Sequence, residues 1–444
     1  MFAFVVSSSL AHADAPFRTF RGHTDAVECV ALTPDGQTIV SAGLDSTIRV
    51  WWLGGISIVG RKARAEQLSP HDPLLRTLPV PGSGDAGHAD RVWCVVVTPD
   101  SQHAVSGGGD GTVKAWRLSD GHLLQTLTGH RGAVRSLAIT PDGSTILSGS
   151  ADSTARAWRF SDGALIRVLP AGSYGGHEAV VAALAVSPDG QTIVSGGADG
   201  TIKIWQLASG ALMRTLTGHA FGWVVSVVVT PDGQNIVSGG SDGTIRIWKL
   251  ADGELLRILP LSGSGDSGHG AVVNSVTITP DGRKIVSAGW DHTIKVWWLA
   301  DGVLLRTLAG HTGNVYCVAI GQHGQVIVSG SQDSTIRAWI TPPLNTRVPA
   351  ASVQFNLAQS YPNPFNPATT IRFGLPEAGV VNLTVYDITG RTVRTLKNGY
   401  TSGGVLEIVW DGRDANGRIV ASGVYVYRLA AKQGVATKRM TLLR

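Results

Sequence analysis

Serine, histidine and aspartate together can activate a hydroxyl for acyl transfer, and this chain carries them repeatedly, always with a tryptophan. His23, Ser41, Asp45 and Trp51 come first. The set returns as His88, Ser106, Asp110, Trp116 and as His130, Ser148, Asp152, Trp158. It continues as His177, Ser195, Asp199, Trp205 and as His219, Ser238, Asp242, Trp248. The last two are His269, Ser287, Asp291, Trp297 and His311, Ser329, Asp333, Trp339. Serine to aspartate is always four residues and aspartate to tryptophan always six; histidine to aspartate is 22 residues, or 23 in the fifth copy. A nucleophile is needed once, in a cleft, beside an oxyanion hole. Seven copies at constant spacing instead describe an internal repeat. These positions are therefore assigned to structure, with no catalytic, metal or cofactor role.

The elements that position the set follow from the third repeat. An apolar run, Val134–Thr140, ends at the turn signal Pro141-Asp142-Gly143. Thr145–Ser148, Thr154–Phe160 and Ala164–Leu169 follow, separated by turns at Asp152 and at Ser161-Asp162-Gly163. Each unit thus reads as four short strands, a to d. Glycine is frequent and helix-period apolar patterns are hard to find, which suits strands and tight turns. In such a meander the loop before strand a and the b–c turn share one end, so each histidine meets its aspartate.

A unit of about 42 residues with four strands, a Gly-His pair and a tryptophan resembles the WD-repeat β-propeller family. The resemblance covers residues 17 to 341. It implies an all-β, seven-bladed propeller in which each His, Ser, Asp and Trp form one hydrogen-bonded network. The family's Trp-Asp dipeptide is absent at its expected place, since none of the seven network tryptophans is followed by aspartate; the dipeptide occurs only at Trp290-Asp291 and Trp410-Asp411. The last blade lacks its fourth strand after Trp339, and the pattern ends at Thr341-Pro342-Pro343. Residues 17–23 match 305–311, so residues 17–20 are expected to close that blade. Blade 1 carries an insertion, Gly54–Pro73, with Arg61, Lys62 and Arg64. Longer loops precede the Gly-His pair in alternate repeats, at 81–88, 171–177 and 262–269. Their Asp85 and Asp266 offer one carboxylate each, where a calcium ion takes ~6–8 oxygens.

From Ala350 the pattern changes, and residues 342–356 read as a linker. Alternating strands Val380–Tyr386, Val405–Trp410 and Val424–Ala430 predict a small β-sandwich over 357–444. Tyr361-Pro362-Asn363-Pro364, the run at 386–391, the run at 422–429 and a basic last strand resemble the C-terminal sorting domain of bacterial type IX secretion cargo. That domain is related in form to the Ig-like domain of flagellar hook-capping proteins. The resemblance implies recognition by the secretion machinery and a place in the medium or on the outer-membrane surface of a bacterium. Residues 1–16 resemble the end of a secretory signal peptide, though without a basic start.

The net charge of +5 does not imply a nucleic-acid partner. Residues 342–444 hold 12 basic and 5 acidic residues, leaving 25 basic and 27 acidic in the repeats. The propeller is close to neutral and lacks a basic footprint. No apolar run approaches the ~18–20 residues of a membrane span. Cys29, Cys94 and Cys317 occupy the same slot of their repeats and read as small buried hydrophobes. The other histidines, His12, His71, His103, His122, His292 and His323, read as loop or turn residues without metal-ligand spacing.

Function then falls to positions where the repeats differ. In propellers of this family partners dock on the face bearing the Gly-His loops and b–c turns. One position lies six residues before the a–b turn, which is Pro-Asp-Gly in five of the seven repeats: Glu28, Trp93, Arg135, Ala182, Val225, Asn274 and Tyr316. A second precedes the network aspartate and supplies Trp290, while the extra residue of the fifth repeat adds Phe221 and Trp223. Glu28, Trp93, Arg135, Phe221, Trp223, Asn274, Trp290 and Tyr316 are the candidate rim for a protein or glycan partner, being rich in the types enriched at hot spots. The expectation is an exported, monomeric binding protein without cofactor or enzymatic activity. The competing readings are an enzyme with its site in the central channel and an intracellular scaffold.

Overall fold

Each repeat places small and β-branched residues at alternate positions between turn signals, and each folds as an antiparallel four-stranded sheet. The coordinates are those of a computed structural model. The structure describes residues 16–340 and 355–443, apart from 55, 60–61, 66–72, 81, 173–174, 220–221, 261–267, 322–323, 362, 376–378 and 402–403. The chain divides into two compact units, Met1–Pro343 and Leu344–Arg444.

The first unit holds seven four-stranded sheets, each a propeller blade. The third blade is typical, with strands Val134–Ile139, Thr145–Ser150, Ala155–Arg159 and Leu165–Leu169. Strand b runs two residues beyond the sequence expectation. The a–b turn is built as the sequence signals: Thr140 donates its hydroxyl to Asp142 at 2.5 Å, Asp142 accepts the Ser144 N–H at 3.0 Å, and Gly143 takes φ = 72°. Inner strands all begin with valine, from Val27–Leu32 round to Val315–Ile320. They touch their neighbours in sequence, and the first touches the last. The core lies between blades, where Val, Ile and the network tryptophan of one sheet pack on the next.

The ring closes through the start of the chain. Arg18–Arg21 pairs antiparallel with Thr335–Ile340, as Arg18 with Ala338 and Phe20 with Ile336. Phe20 is buried and meets Trp51 edge-on, with ring centroids 5.9 Å apart. The insertion in blade 1 contains a hairpin of its own, Ile56–Val59 with Lys62–Ala65. Strand d resumes at Leu74–Leu78.

The second unit is a sandwich. One sheet is Asn356–Leu357, Thr369–Leu375 and Gly404–Trp410. The other orders Thr392–Thr401, Gly379–Tyr386, Gly423–Ala431 and Gly434–Leu442. Phe373, Leu383, Trp410 and Tyr427 fill the space between them. The Tyr427 hydroxyl donates to the Ala358 carbonyl at 2.7 Å and accepts the Ser360 N–H at 2.8 Å, which ties the first strand into the core. The first strand starts at Asn356, one residue inside the stretch read as linker.

Of the remaining histidines, His103 departs from its reading as a loop residue. It opens strand b of blade 2 and packs on Phe160 at 5.2 Å, because its ring covers the seam with blade 3. His122 lies 3.2 Å from Asp85. His292 follows Asp291 in a turn at φ = 65°. His12, His71, His323 and Asp266 fall outside the described residues. Among the described residues no helix is long and apolar enough to cross a membrane.

Candidate functional site

The repeated set is a closed network in all seven blades. Strand b carries the serine two residues before its end, the b–c turn carries the aspartate, strand c carries the tryptophan, and the incoming loop carries the histidine. Histidine Nδ1 stands 2.9–3.1 Å from an aspartate oxygen. Histidine Nε2 stands 2.7–2.8 Å from the serine Oγ. Tryptophan Nε1–H donates to the same Oγ at 2.8–2.9 Å. The serine hydroxyl is thereby left to donate to Nε2, and the Nδ1–H to donate to the carboxylate. Every network serine is buried, accepting from tryptophan with its proton committed to histidine, so none of them faces a substrate.

Threonine is a fifth member that the spacing of the other four did not reveal. Thr47, Thr112, Thr154, Thr201, Thr244, Thr293 and Thr335 each donate to the network aspartate at 2.6–2.9 Å. The signal was present in the sequence, since threonine follows the aspartate by two residues in every repeat. Burial alone would push these carboxyls up. The bonds from histidine, threonine and backbone N–H groups outweigh it and hold all seven below the ordinary carboxylate range. Burial likewise pulls His311 down from its ordinary value.

A pH dependence follows. The unfolded aspartates titrate near ~3.9 and the unfolded histidine near ~6.5. Between those values and their lower folded ones the unfolded chain binds more protons, so stability rises with pH. Thermal melts are expected to fall steeply as pH drops below ~4. Asp152→Asn should flatten the lower limb. Between ~4.5 and about 7 the raised Glu28 carboxyl and the lowered His311 act in opposite directions, so little net change is expected there.

The candidate rim positions share one structural cause. In every inner strand the pairing skips the second residue: Val27 faces Gly43, yet Cys29 faces Ala42. The skipped residues are Glu28, Trp93, Arg135, Ala182, Val225, Asn274 and Tyr316. Each is a β-bulge, which leaves one residue unpaired and turns its side chain out of the sheet. All of them line one cavity of ≈ 710 Å³ at the centre of the ring, joined from the b–c turns by Leu44, Ser241 and Trp290. The seven-fold bulge is what gathers residues that are far apart in the chain.

The mouth so formed is uneven. Blades 2 and 3 supply Trp93 and Arg135, and the guanidinium lies 3.7 Å above the indole centroid. Both are half-buried, as are Glu28, Asn274 and Tyr316, so these five sit inside the mouth and not on an outer rim. Trp223 and Trp290, on blades 5 and 6, are 49% and 45% exposed and stand at its edge. Asn274 donates to the Tyr316 carbonyl at 2.8 Å. Burial pushes the Glu28 carboxyl up to about 7, Asp25 adds to the push, and Arg135 and Arg91 oppose it. Phe221 lies outside the described residues.

Cys29, Cys94 and Cys317 occupy the residue after the bulge, as Ser136, Ser226 and Ser275 do in other blades. This slot stitches blades together. Cys29 Sγ–H points to the Val95 carbonyl at 3.4 Å, and Ser136, Ser226 and Ser275 accept the N–H of Leu184, Val276 and Val318 at 2.9–3.3 Å. The slot is thus polar as well as packed. Burial pushes the Cys29 thiol up to about 11, far from a reactive thiolate. Among the described residues no three His, Cys, Asp or Glu side chains converge to hold a metal.

Sequence comparison places these features. Residues 15–51, 75–117, 121–159, 169–206, 210–249, 258–297 and 302–339 match the family described as WD domain, G-beta repeat. Residues 365–434 match the FlgD Ig-like domain. Among curated proteins, the chain is similar to a ribosome biogenesis protein WDR12 homolog of Chlamydomonas reinhardtii, at 31% identity over 25% of this chain and 26% of that one. It is similar to the small ribosomal subunit protein RACK1 of Neurospora crassa, at 33% identity over 24% of this chain and 28% of the relative. Human striatin is 28% identical over 24% of this chain and 12% of its own length. The chain therefore spans at most 28% of the length of these relatives. With more than half of its residues inside matched repeats, the chain belongs to the WD-repeat family, with an Ig-like domain of the FlgD type after the propeller.

Proposed function

We propose that this chain is an exported, non-enzymatic propeller that holds a protein or glycan partner at the central mouth. One observation carries the reading: the seven bulge positions, where the repeats disagree, all line a single cavity, while the positions where they agree are consumed by internal networks. The relatives' printed names place WD repeats in ribosome biogenesis and in a ribosomal subunit, both settings of macromolecular assembly. Export rests on the sorting-domain resemblance of residues 357–444 and on the Ig-like match within it. The type IX machinery is the second partner, at the surface of a bacterium or in its medium.

The mouth is tested by screening the purified chain against glycan and peptide arrays, then repeating the screen with Trp290→Ala and Trp93→Ala. A ligand weakened about tenfold or more by Trp290→Ala, with an unchanged melt, supports it. Ligands indifferent to both substitutions would place binding elsewhere. Export is tested by the intact mass of the protein outside its native host cell, which should lack residues 357–444 or carry them as an anchor. Finding it only in the cytoplasm with that segment intact would sink this part.

The second reading, an enzyme in the channel, gains one feature. Glu28 is an acid without a counterpart in the other blades, poised near neutrality. The Cys29 thiol beside it is no ready nucleophile, because burial pushes it up to about 11. Turnover abolished by Glu28→Gln would reverse the preference.

A further inference from the structure

The mouth carries two opposite charges that do not pair. Glu28 and Arg135 face the same cavity, yet neither makes an ion pair or hydrogen bond among the described residues. The Arg135 Nε is buried with no hydrogen-bond partner. A half-buried cation and carboxyl left unpaired are costly unless something completes them. Arg135 is also held in place, since Trp93 supports its plane at 3.7 Å. Across the opening stand the exposed indoles of Trp223 and Trp290.

Resting on the proposed binding role of this mouth, the geometry points to an acidic carbohydrate as its ligand: a pyranose bearing a carboxylate. The carboxylate meets the Arg135 guanidinium in a charge-assisted bond, which its planar fork suits. A ring hydroxyl donates to Glu28 or accepts from it, whichever form the carboxyl takes. The apolar C–H face of a sugar ring lies on Trp290 or Trp223, and the Asn274 carboxamide and the Ser241 hydroxyl supply further polar edges. The ≈ 710 Å³ cavity falls within the ~300–1,000 Å³ of small-ligand sites. A peptide adding as a strand is disfavoured. Ser136, Ser226 and Ser275 already take inner-edge N–H groups, and Cys29 points at an inner-edge carbonyl.

The test uses the full chain and three probes in calorimetry: a uronic-acid disaccharide, its methyl ester, and a tripeptide with a free carboxylate. The free acid should bind, and esterification should weaken it about tenfold or more. Arg135→Met, which keeps an unbranched side chain over Trp93, should cut affinity for the acid to that of the ester and leave the ester unchanged. Trp290→Ala should weaken acid and ester alike. Circular dichroism melts exclude misfolding, and the ester result needs no variant. No binding of the uronate, or binding indifferent to both esterification and Arg135→Met, overturns the inference. Binding of the tripeptide in place of the sugar also overturns it. If array ligands of another class remain sensitive to Trp290→Ala, the binding mouth stands and only the acidic sugar falls.

Discussion

Removing residues 17–21 is expected to open the propeller. These residues are the outer strand of blade 7, and without them Thr335–Ile340 becomes an unpaired edge. Phe20 leaves with them, and with it the edge-on contact to Trp51 of blade 1. Phe20→Ala alone should cost about 3–5 kcal/mol, the range for emptying a buried phenylalanine site. The deletion should cost more, because it removes four strand pairings and the Arg18 bonds to the Trp52 and Leu53 carbonyls of the next blade. Thermal melting of the Phe20→Ala variant and size-exclusion of the deletion measure the two effects. A deletion variant that stays monomeric and melts with the intact chain would mean that closure contributes nothing. A peptide spanning residues 16–22, added in trans, should recover part of the lost stability.

The second large effect is at the network. Asp152→Ala strips His130 Nδ1, the Thr154 hydroxyl and the Arg131 and Thr154 N–H groups of their acceptor at once. Several of these donors are shielded from water, so the loss should be on the order of 3 kcal/mol. His130→Ala should cost a similar amount by leaving the buried Ser148 hydroxyl without its acceptor. Hydrogen exchange should rise first in blade 3 and at its two seams, since each blade touches its neighbours most closely. Ligand affinity at the mouth should hold, because the mouth residue of that blade, Arg135, stays anchored on Trp93. A melt unchanged by Asp152→Ala would show that the network has no structural weight.

These predictions draw differently on sequence and structure. His130, Ser148, Asp152 and Trp158 were legible as a unit because their spacing is fixed by strand and turn lengths that repeat. Thr154 was equally periodic and escaped notice because a threonine in a strand passes as β-propensity. A second periodic residue escaped in the same way. Arg76, Arg167, Arg214 and Arg257 sit in outer strands and donate to carbonyls of the next blade, at Leu118, Ala208 and Ser209, Ala251 and Leu299. Arg18 does so across the closure, and Gln125 takes the place in blade 2. The partner of each lies 34 to 42 residues away, so no local pattern names it.

By itself the sequence determined the class of the fold, the number of blades, the closing strand and four of the five members of each network. All of these are set by alternation, turn chemistry and constant spacing within one unit. Which residues line the central cavity was decided by tertiary structure. Glu28, Trp93 and Arg135 are ordinary second residues of three separate strands until seven bulges turn them to one axis. That Arg135 lies on Trp93, that Glu28 stands unpaired near neutrality, and that Trp223 and Trp290 stay exposed depend on how neighbouring blades meet. Such contacts join residues about forty positions apart, beyond the reach of any period within a single repeat.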